Sequence, residues 1–190
     1  MRPSYDDGPQ RDGSCYKTKM TAFFVFVAQY LFVLPVIVLG GYFFSRPRSE
    51  WARMALFAVP AGLLAYALGL LGGHLYFDLR PFVVGNFIPL IAHAPDNGFP
   101  SDHTLFVSAF AAVGMFWNKR LGIALWVIAV LVAVARVYIG LHHPIDVLGS
   151  MAFAIIGVSA WYIALKGFMS RKYARNPGTP PSSRRSGNKF

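Results

Sequence analysis

Two short segments of the chain place histidines beside groups that can bind or orient an anion. One is Pro100-Ser101-Asp102-His103, and the other runs from Arg136 to Asp146 and contains His142. His142 and Asp146 are four residues apart, a spacing that puts both on one face of a helix. A carboxylate so placed can fix the imidazole tautomer and stabilise imidazolium, which leaves the other ring nitrogen free to act as a nucleophile or a base.

The segment around Ser101 predicts the N-terminus of a helix. A proline, a serine and then an apolar run are typical of a helix start, with Ser101 as the N-cap. The free backbone N–H groups and the positive dipole end of such a helix suit a phosphate, and His103 would lie in the first turn. Taken alone, the same residues also fit a plain cap followed by an interfacial histidine.

Two arginines complete the set of candidate groups. Arg80 closes one apolar run and Arg136 lies near the end of another, and guanidinium donors match phosphate geometry. Two arginines, a helix N-terminus and two histidines are the parts of a phosphoryl-transfer site in which one histidine attacks phosphorus and the other protonates the leaving oxygen. Arg80 also fits an ordinary interfacial arginine that extends to the head groups.

Metal catalysis is the competing interpretation of the five histidines. The carboxylates expected near the site show no HExxH or comparable ligand spacing, and the single cysteine, Cys15, excludes a multi-thiolate centre. We therefore predict no metal and no other cofactor. His143 directly precedes Pro144 and has no equally spaced partner, so we assign it a structural role.

Long uncharged runs must position these groups. Thr21 to Phe44 and Met54 to Phe77 contain no Asp, Glu, Lys or Arg, and each exceeds the roughly 20 apolar residues that span a bilayer. Three further apolar runs follow, over residues 104–117, 121–135 and 147–165. The pattern predicts an all-α fold, a polytopic membrane helical bundle of about five transmembrane helices, with the membrane domain over residues 20–168.

Two polar tails flank the predicted domain, residues 1–19 and residues 169–190. The second is basic and rich in Ser, Gly and Pro, a composition that predicts disorder. A net charge of +10 is often a sign of nucleic-acid binding, but here the charge follows the membrane pattern, and we predict no nucleic-acid partner.

The charge also predicts an orientation. With five spans, twelve of the 18 Lys and Arg lie on the side of the C-terminus and six on the other side. The positive-inside tendency therefore predicts a cytoplasmic C-terminus and an external N-terminus. The loops that carry Arg80 to His103 and Arg136 to Asp146 then meet on the external face.

The three segments resemble the signature of the type 2 phosphatidic acid phosphatase superfamily, which reads Lys-x6-Arg-Pro, Pro-Ser-Gly-His and Ser-Arg-x5-His-x3-Asp. The second part here is Pro100 to His103, with Asp in place of Gly, and the third is Ala135 to Asp146, with Ala in place of Ser. The first part keeps Arg80-Pro81 but has Gly73, next to His74, in place of Lys.

The resemblance implies a role for each matching residue. His142 corresponds to the nucleophile, Asp146 to its orienting carboxylate and His103 to the general acid. The residues implied in phosphate binding are Arg80, Arg136 and Ser101, to which we add Asp102, in the position of the family Gly, and His74, as a substitute for the missing Lys.

Phe99 to His103, Arg80 to Val83 and His93 to Asp96 resemble one subgroup, the bacterial undecaprenyl-diphosphate phosphatases linked to bacitracin resistance. This implies a plasma-membrane hydrolase that converts the polyprenyl diphosphate to undecaprenyl phosphate through a phosphohistidine and so recycles the cell-wall lipid carrier. Two alternatives stay open: a broader lipid phosphatase acting on phosphatidylglycerophosphate or phosphatidic acid, and a non-catalytic lipid-phosphate binding or transport protein.

Overall fold

The computed structural model describes residues 13–175, with side chains described over residues 18–171. This part of the chain is helical, with an isolated β-bridge between Leu79 and Asn97 and no strand. The all-α prediction is confirmed. The helices are α1 (Gly13–Tyr30), α2 (Val33–Ser45), α3 (Arg48–Leu75), α4 (Pro81–Val84), α5 (Asp102–Trp117), α6 (Lys119–Tyr138) and α7 (Pro144–Arg175).

Within the described residues, three helices are long and apolar enough to cross a membrane: α3, α6 and α7. A fourth span results if the bent pair α1 and α2 is counted as one. Helix α5 has 16 residues and is about 24 Å long, which is less than the roughly 30 Å of a bilayer core. The predicted number of about five is therefore approximate, and it is reached only when the short α5 is counted as well.

The first apolar run is a broken helix. Between α1 and α2 the chain turns at Leu31 and Phe32, and the two axes differ by 49°. Pro35 explains the break, because it has no N–H and its ring crowds the carbonyl of Leu31 four residues earlier. The N–H of Leu34 instead bonds to that carbonyl in a tighter turn, at 3.1 Å. The bend places the ring of Phe32 edge-on to His103, with ring centroids 4.9 Å apart.

Helix α5 lies at the centre of the bundle, where it packs against α6, α7, α3 and α2. Its buried side chains belong to a core that α2, α3, α6 and α7 complete, with the members Leu39, Ala61, Ala111, Ala112, Val113, Leu125 and Val158. The end of α3 and the start of α5 lie at one end of the bundle, and the end of α6 and the start of α7 lie at the same end. The connections after α3 and after α6 therefore meet there.

The tails are shorter than the sequence predicts. Helix α7 continues to Arg175, so residues 169–175 are helical rather than disordered. The sequence of these seven residues contains no Gly or Pro that would break a helix. Helix α1 likewise begins at Gly13, inside the predicted polar tail. The rest of the two predicted tails, residues 1–12 and 176–190, lies outside the described residues.

Candidate active site

His142 lies in the tight connection between α6 and α7. Helix α6 ends at Tyr138, and Gly140 then takes a φ of 78°, a left-handed conformation that glycine adopts without strain. Pro144 opens α7, because its fixed φ and missing N–H suit the first helical position. The turn directs His142 into the protein, where only 2% of the residue is exposed.

The ring proton of His142 is located by its partners. Nδ1 lies 2.9 Å from the carbonyl oxygen of Gly98 and 3.4 Å from Oδ2 of Asp146. A backbone carbonyl can only accept a hydrogen bond, so Nδ1 carries the proton and Nε2 keeps its lone pair. The structure thus brings His142 and Asp146 together, as their spacing predicts, but the Gly98 carbonyl is the nearer acceptor.

Nε2 of His142 faces two guanidinium groups. Nη2 of Arg136 lies 3.1 Å from it and Nη1 of Arg80 lies 3.4 Å away, and both arginines are buried. Burial lowers the pKa of His142 from its ordinary value; the hydrogen bond to Asp146 opposes this effect, and the two positive charges add to it. His142 is therefore neutral at neutral pH, with a free lone pair beside donors that match a phosphate.

Arg80 is held in place by three acceptors. Its Nε donates to Oδ1 of Asp96 at 2.7 Å, Nη1 to the carbonyl of Leu141 at 3.0 Å and Nη2 to the carbonyl of Asn97 at 3.3 Å. Partial burial tends to raise the pKa of Asp96, but the hydrogen bond and charge of Arg80 outweigh it and hold that pKa below its ordinary value. The sequence does not predict Asp96 as the partner of Arg80, since 16 residues separate them with no periodic relation.

Arg136 has unused donor capacity. Among the described residues, its buried Nε has no hydrogen-bond partner. Buried donors are nearly always satisfied in proteins, so an orphan beside a candidate nucleophile points to a ligand. A phosphate oxygen would satisfy this N–H.

Asp146 is fully buried and lies between the two histidines. Its Oδ2 accepts the backbone N–H of His143 at 2.8 Å, while no partner for Oδ1 occurs in the described part of the chain. The Nδ1 of His143 bonds to Oδ2 of Asp78 at 2.8 Å. Sequence spacing does not predict this partner for His143, because Asp78 lies on a distant segment with no periodic relation to it.

Ligand atoms of Asp78, His143 and Asp146 all lie within 4.8 Å of one another and could hold a metal ion. In the structure, both carboxylates already accept a hydrogen bond from His143. Asp78 accepts from the ring, and Asp146 accepts from the backbone N–H. A cation there would have to displace the ring bond between Asp78 and His143. Asp78 and His143 thus form a second His–Asp pair next to His142, while Oδ1 of Asp146 keeps no partner among the described residues.

The start of α5 lies where the sequence predicts an anion site. Ser101 is the N-cap and is fully buried, but its side chain makes no capping bond and instead accepts from Oγ1 of Thr104 at 3.2 Å. Oγ of Ser150 contacts the carbonyls of Ser101 at 2.9 Å and Asp146 at 2.8 Å, and so ties α5 to α7. First-turn N–H groups without a side-chain cap are available to an anion.

The remaining predicted site residues occupy different places. Asp102 is exposed at the first position of α5, and His103 is half-buried beside Phe32. His74 is exposed near the end of α3, and no hydrogen bond or ion pair joins it to the arginines in the described region. The structure therefore places His103 against Phe32 at the start of α5 and does not bring His74 to the two arginines.

Gly73, the residue before His74, packs closely against the loop before α5. The carbonyl of Gly73 accepts from Nδ2 of Asn97 at 2.9 Å, and a Cβ at Gly73 would lie 3.1 Å from the carbonyl oxygen of Phe99. Residue 73, where the family signature has lysine, thus packs against this loop.

Asn97 is a residue that sequence reasoning missed. Its Oδ1 accepts the N–H groups of Asp78 at 2.9 Å and Phe99 at 3.0 Å, and its Nδ2 donates to the carbonyls of Gly73 at 2.9 Å and Tyr76 at 3.1 Å. These four hydrogen bonds hold the loop that contains Gly98, whose carbonyl accepts the hydrogen bond from Nδ1 of His142. The available signal was the Asn-Gly pair before Phe99-Pro100, a turn sequence that points to a shaped loop.

Comparisons with known proteins agree with this geometry. A model of the PAP2 superfamily matches residues 54–170, which include the whole site. The chain is 33% identical over 144 residues to undecaprenyl-diphosphatase BcrC of Bacillus subtilis (strain 168), covering 75% of this chain and 74% of that protein. It is 33% identical over 134 residues to the bacitracin transport permease protein BcrC of Bacillus licheniformis, covering 70% and 64%. It is 36% identical over 104 residues to the putative undecaprenyl-diphosphatase YbjG of Escherichia coli (strain K12), covering 54% and 52%.

Two solved structures are similar to the fold. The crystal structure of a transmembrane PAP2 type phosphatidylglycerolphosphate phosphatase from Bacillus subtilis has a TM-score of 0.53 and 26% identity, covering 85% of this chain and 80% of that one. Aquifex aeolicus LpxE has a TM-score of 0.61 at 21% identity, covering 76% and 86%, a likeness of fold alone. Because the family model matches more than half of the chain and includes every residue around His142, the chain belongs to the PAP2 superfamily.

Proposed function

We propose that the chain is a membrane lipid-diphosphate phosphatase that hydrolyses undecaprenyl diphosphate to undecaprenyl phosphate and inorganic phosphate. The observation that carries the proposal is the buried, unprotonated Nε2 of His142, which lies 3.1 Å and 3.4 Å from the donors of two arginines that can transfer their hydrogen bonds to an incoming phosphate. The substrate is supported by the undecaprenyl-diphosphatase of Bacillus subtilis and the putative undecaprenyl-diphosphatase of Escherichia coli, to which the chain is similar.

In the first step, Nε2 of His142 attacks the terminal phosphorus. The bond between phosphorus and the bridging oxygen breaks, and His103 gives its proton to the leaving undecaprenyl phosphate. Arg80, Arg136 and the N–H groups at the start of α5 hold the three equatorial oxygens. The positive charge on the phosphorylated ring is balanced at Nδ1 by the Gly98 carbonyl and Asp146.

In the second step, water attacks the phosphohistidine. His103 is now neutral and takes a proton from this water, the bond between phosphorus and Nε2 breaks, and phosphate leaves. No direct bond between His103 and His142 is required, because in-line displacement places the two histidines on opposite sides of phosphorus. Asp102 contributes its backbone N–H at the start of α5, whereas the N–H of Ser101 already donates to the carbonyl of Asp146 at 3.4 Å, which leaves the hydroxyl of Ser101 to face the phosphate.

An apolar groove beside the site supports a lipid substrate. It has a volume of about 530 Å³ and lies between the α1–α2 bend, α3 and α5, with His103 and Asp102 at one end and Phe32, Tyr66, Phe106 and Phe110 along its walls. The prenyl chain would lie in this groove and in the surrounding bilayer while the diphosphate reaches His142. The charge distribution supports an external site with a cytoplasmic C-terminus in the bacterial plasma membrane, where the reaction would regenerate the carrier lipid.

Two other functions are supported by specific observations. The similarity to a phosphatidylglycerolphosphate phosphatase favours a broader lipid phosphatase, and the relative named as a transport permease favours a non-catalytic protein. Purified protein should be assayed for phosphate release from undecaprenyl diphosphate and from phosphatidylglycerophosphate, with His142→Ala as the inactive control. Faster release from the prenyl substrate supports the proposal, a preference for the glycerolipid supports the first alternative, and release equal to that of His142→Ala refutes catalysis.

A further inference from the structure

A second cavity lies at the end of the bundle opposite to the candidate active site. Its volume is about 740 Å³, and its walls come from the end of α2, the first turns of α3, the end of α5 and the last turns of α7. Arg53 in this cavity and His74 near the other end of α3 are separated by about 30 Å along the helix. The cavity is therefore distinct from the site at His142.

The inner walls of the cavity are apolar. They contain the buried Met54 together with Leu56, Phe57, Phe116 and Leu165. Aromatic side chains surround the cavity at this end: Tyr42 stacks on Trp117, with ring centroids 6.2 Å apart, and Phe43 stacks on Trp51 at 5.4 Å. Tryptophan and tyrosine concentrate at the level of lipid head groups, so this end of the bundle has the chemistry of a membrane interface.

The charged side chains of the cavity do not balance. Arg46 is matched by Glu50, whose two carboxylate oxygens lie 3.1 Å from Nε and 3.4 Å from Nη2. Arg53 and Lys166 also line the cavity, and neither forms an ion pair with another described residue. The cavity therefore keeps two positive charges at its polar rim, next to an apolar interior.

We propose that this cavity binds one anionic phospholipid of the bilayer. Arg53 and Lys166 would bind the head-group phosphate, and an acyl chain would lie along Met54, Phe57 and Phe116. Basic pockets between transmembrane helices select anionic head groups, whereas a zwitterionic lipid brings its own positive charge against Arg53 and Lys166. The apolar walls favour a lipid over free phosphate, which has no chain to bury there. Since Arg53 lies on α3 and Lys166 on α7, the lipid would also join two helices that pack against each other.

Native mass spectrometry of the full chain, released from detergent with phosphatidylglycerol or phosphatidylcholine, tests the proposal. We expect one phosphatidylglycerol to be retained with a preference of about 30-fold over phosphatidylcholine, as two basic contacts near a head group imply. The double variant Arg53→Gln, Lys166→Gln should lose the preference. The charge-conserving variant Arg53→Lys, Lys166→Arg should keep it, which separates loss of binding from loss of fold.

The matched control is Lys119→Gln, Arg120→Gln, which removes the same charge from the same end of the bundle at residues that do not line the cavity. This control should bind phosphatidylglycerol like the unmodified chain. Equal retention of the two lipids by the unmodified chain, or an equal loss in the control variant, would overturn the proposal. The readout is lipid mass, so it is independent of the phosphatase reaction.

Discussion

Replacing Asn97 by Asp tests whether the loop before α5 orients the nucleophile. The change is isosteric, and the acceptor oxygen that receives the N–H groups of Asp78 and Phe99 is preserved. The two donors from Nδ2 are lost, and a carboxylate oxygen then faces the carbonyls of Gly73 and Tyr76, which lie 2.9 Å and 3.1 Å from Nδ2. The loop should loosen where it meets α3.

The expected size follows from these two bonds. Each neutral hydrogen bond contributes about 1 kcal/mol net, so their loss should lower the free energy of unfolding by about 2 kcal/mol. The larger effect should fall on catalysis, because the Gly98 carbonyl lies 2.9 Å from Nδ1 of His142 and sets its orientation. A displacement of about 1 Å at a reacting group can reduce the rate by about 100-fold, so we expect kcat to fall by about 10- to 100-fold with KM nearly unchanged.

Phosphate release from undecaprenyl diphosphate, measured well below the melting temperature of each variant, provides the assay. Asn118→Asp is the matched control. Oδ1 of Asn118 caps α6 at the other end of the bundle by accepting from the N–H groups of Arg120 at 3.0 Å and Leu121 at 3.3 Å, and Asp caps equally well. We expect this control to keep its kcat. An unchanged kcat in Asn97→Asp, or an equal fall in Asn118→Asp, would refute the reasoning.

Four further predictions concern the same site and its orientation. Asp146→Asn should keep the melting temperature within a few degrees but lower kcat by about 100-fold, because a neutral amide balances the charge on phosphorylated His142 less well; circular dichroism and phosphate release measure the two effects. Activity should survive excess chelator because arginines hold the phosphate, and loss restored by zinc or magnesium would indicate a metal mechanism instead. Since the pKa of His142 lies below its ordinary value, Nε2 stays unprotonated as the pH falls from 8 to about 6.5. Protonation of His142 should therefore lower kcat/KM only below that pH, which a pH profile of phosphate release measures. A membrane-impermeant maleimide should label Cys15 in intact spheroplasts while a tag after Phe190 resists external protease, and labelling only after lysis would contradict the external site.

The parts of the site that the sequence predicts best are those with local spacing. Ser101 occupies the predicted N-cap position of α5, and His142 lies 3.4 Å from Asp146, although His142 precedes Pro144, the first residue of α7, and so is not on the helix itself. The approach of Arg80 to His142, which lie 62 residues apart, is not a matter of spacing. It follows from the arrangement of the apolar runs, because alternate connections of a helical bundle meet at the same end.

The fold departs from the prediction where a single residue overrides the apolar pattern. Hydropathy treats Thr21 to Phe44 as one run, yet Pro35 divides it into two helices with a bend of 49°. Helix α7 shows the converse effect, because a basic composition predicts disorder while the absence of a breaker before Pro177 lets the helix continue to Arg175. In both cases the position of a proline decides where the helix breaks or continues. Hydropathy or composition averaged over a stretch of sequence does not take this position into account.

The carbonyl of Gly98, which orients the candidate nucleophile His142, cannot be predicted from side-chain types. Every residue carries a carbonyl, so side-chain identity gives no sign that the carbonyl of Gly98 accepts the hydrogen bond from Nδ1–H of His142. What identifies the position is the space around it: a Cβ at Gly98 would lie 3.1 Å from Oδ2 of Asp146 and 3.2 Å from the carbonyl of Asp78. A glycine lets the carboxylate approach, and Asn97 fixes the loop through its side chain. The Asn-Gly pair therefore bears on His142 even though neither side chain contacts its ring.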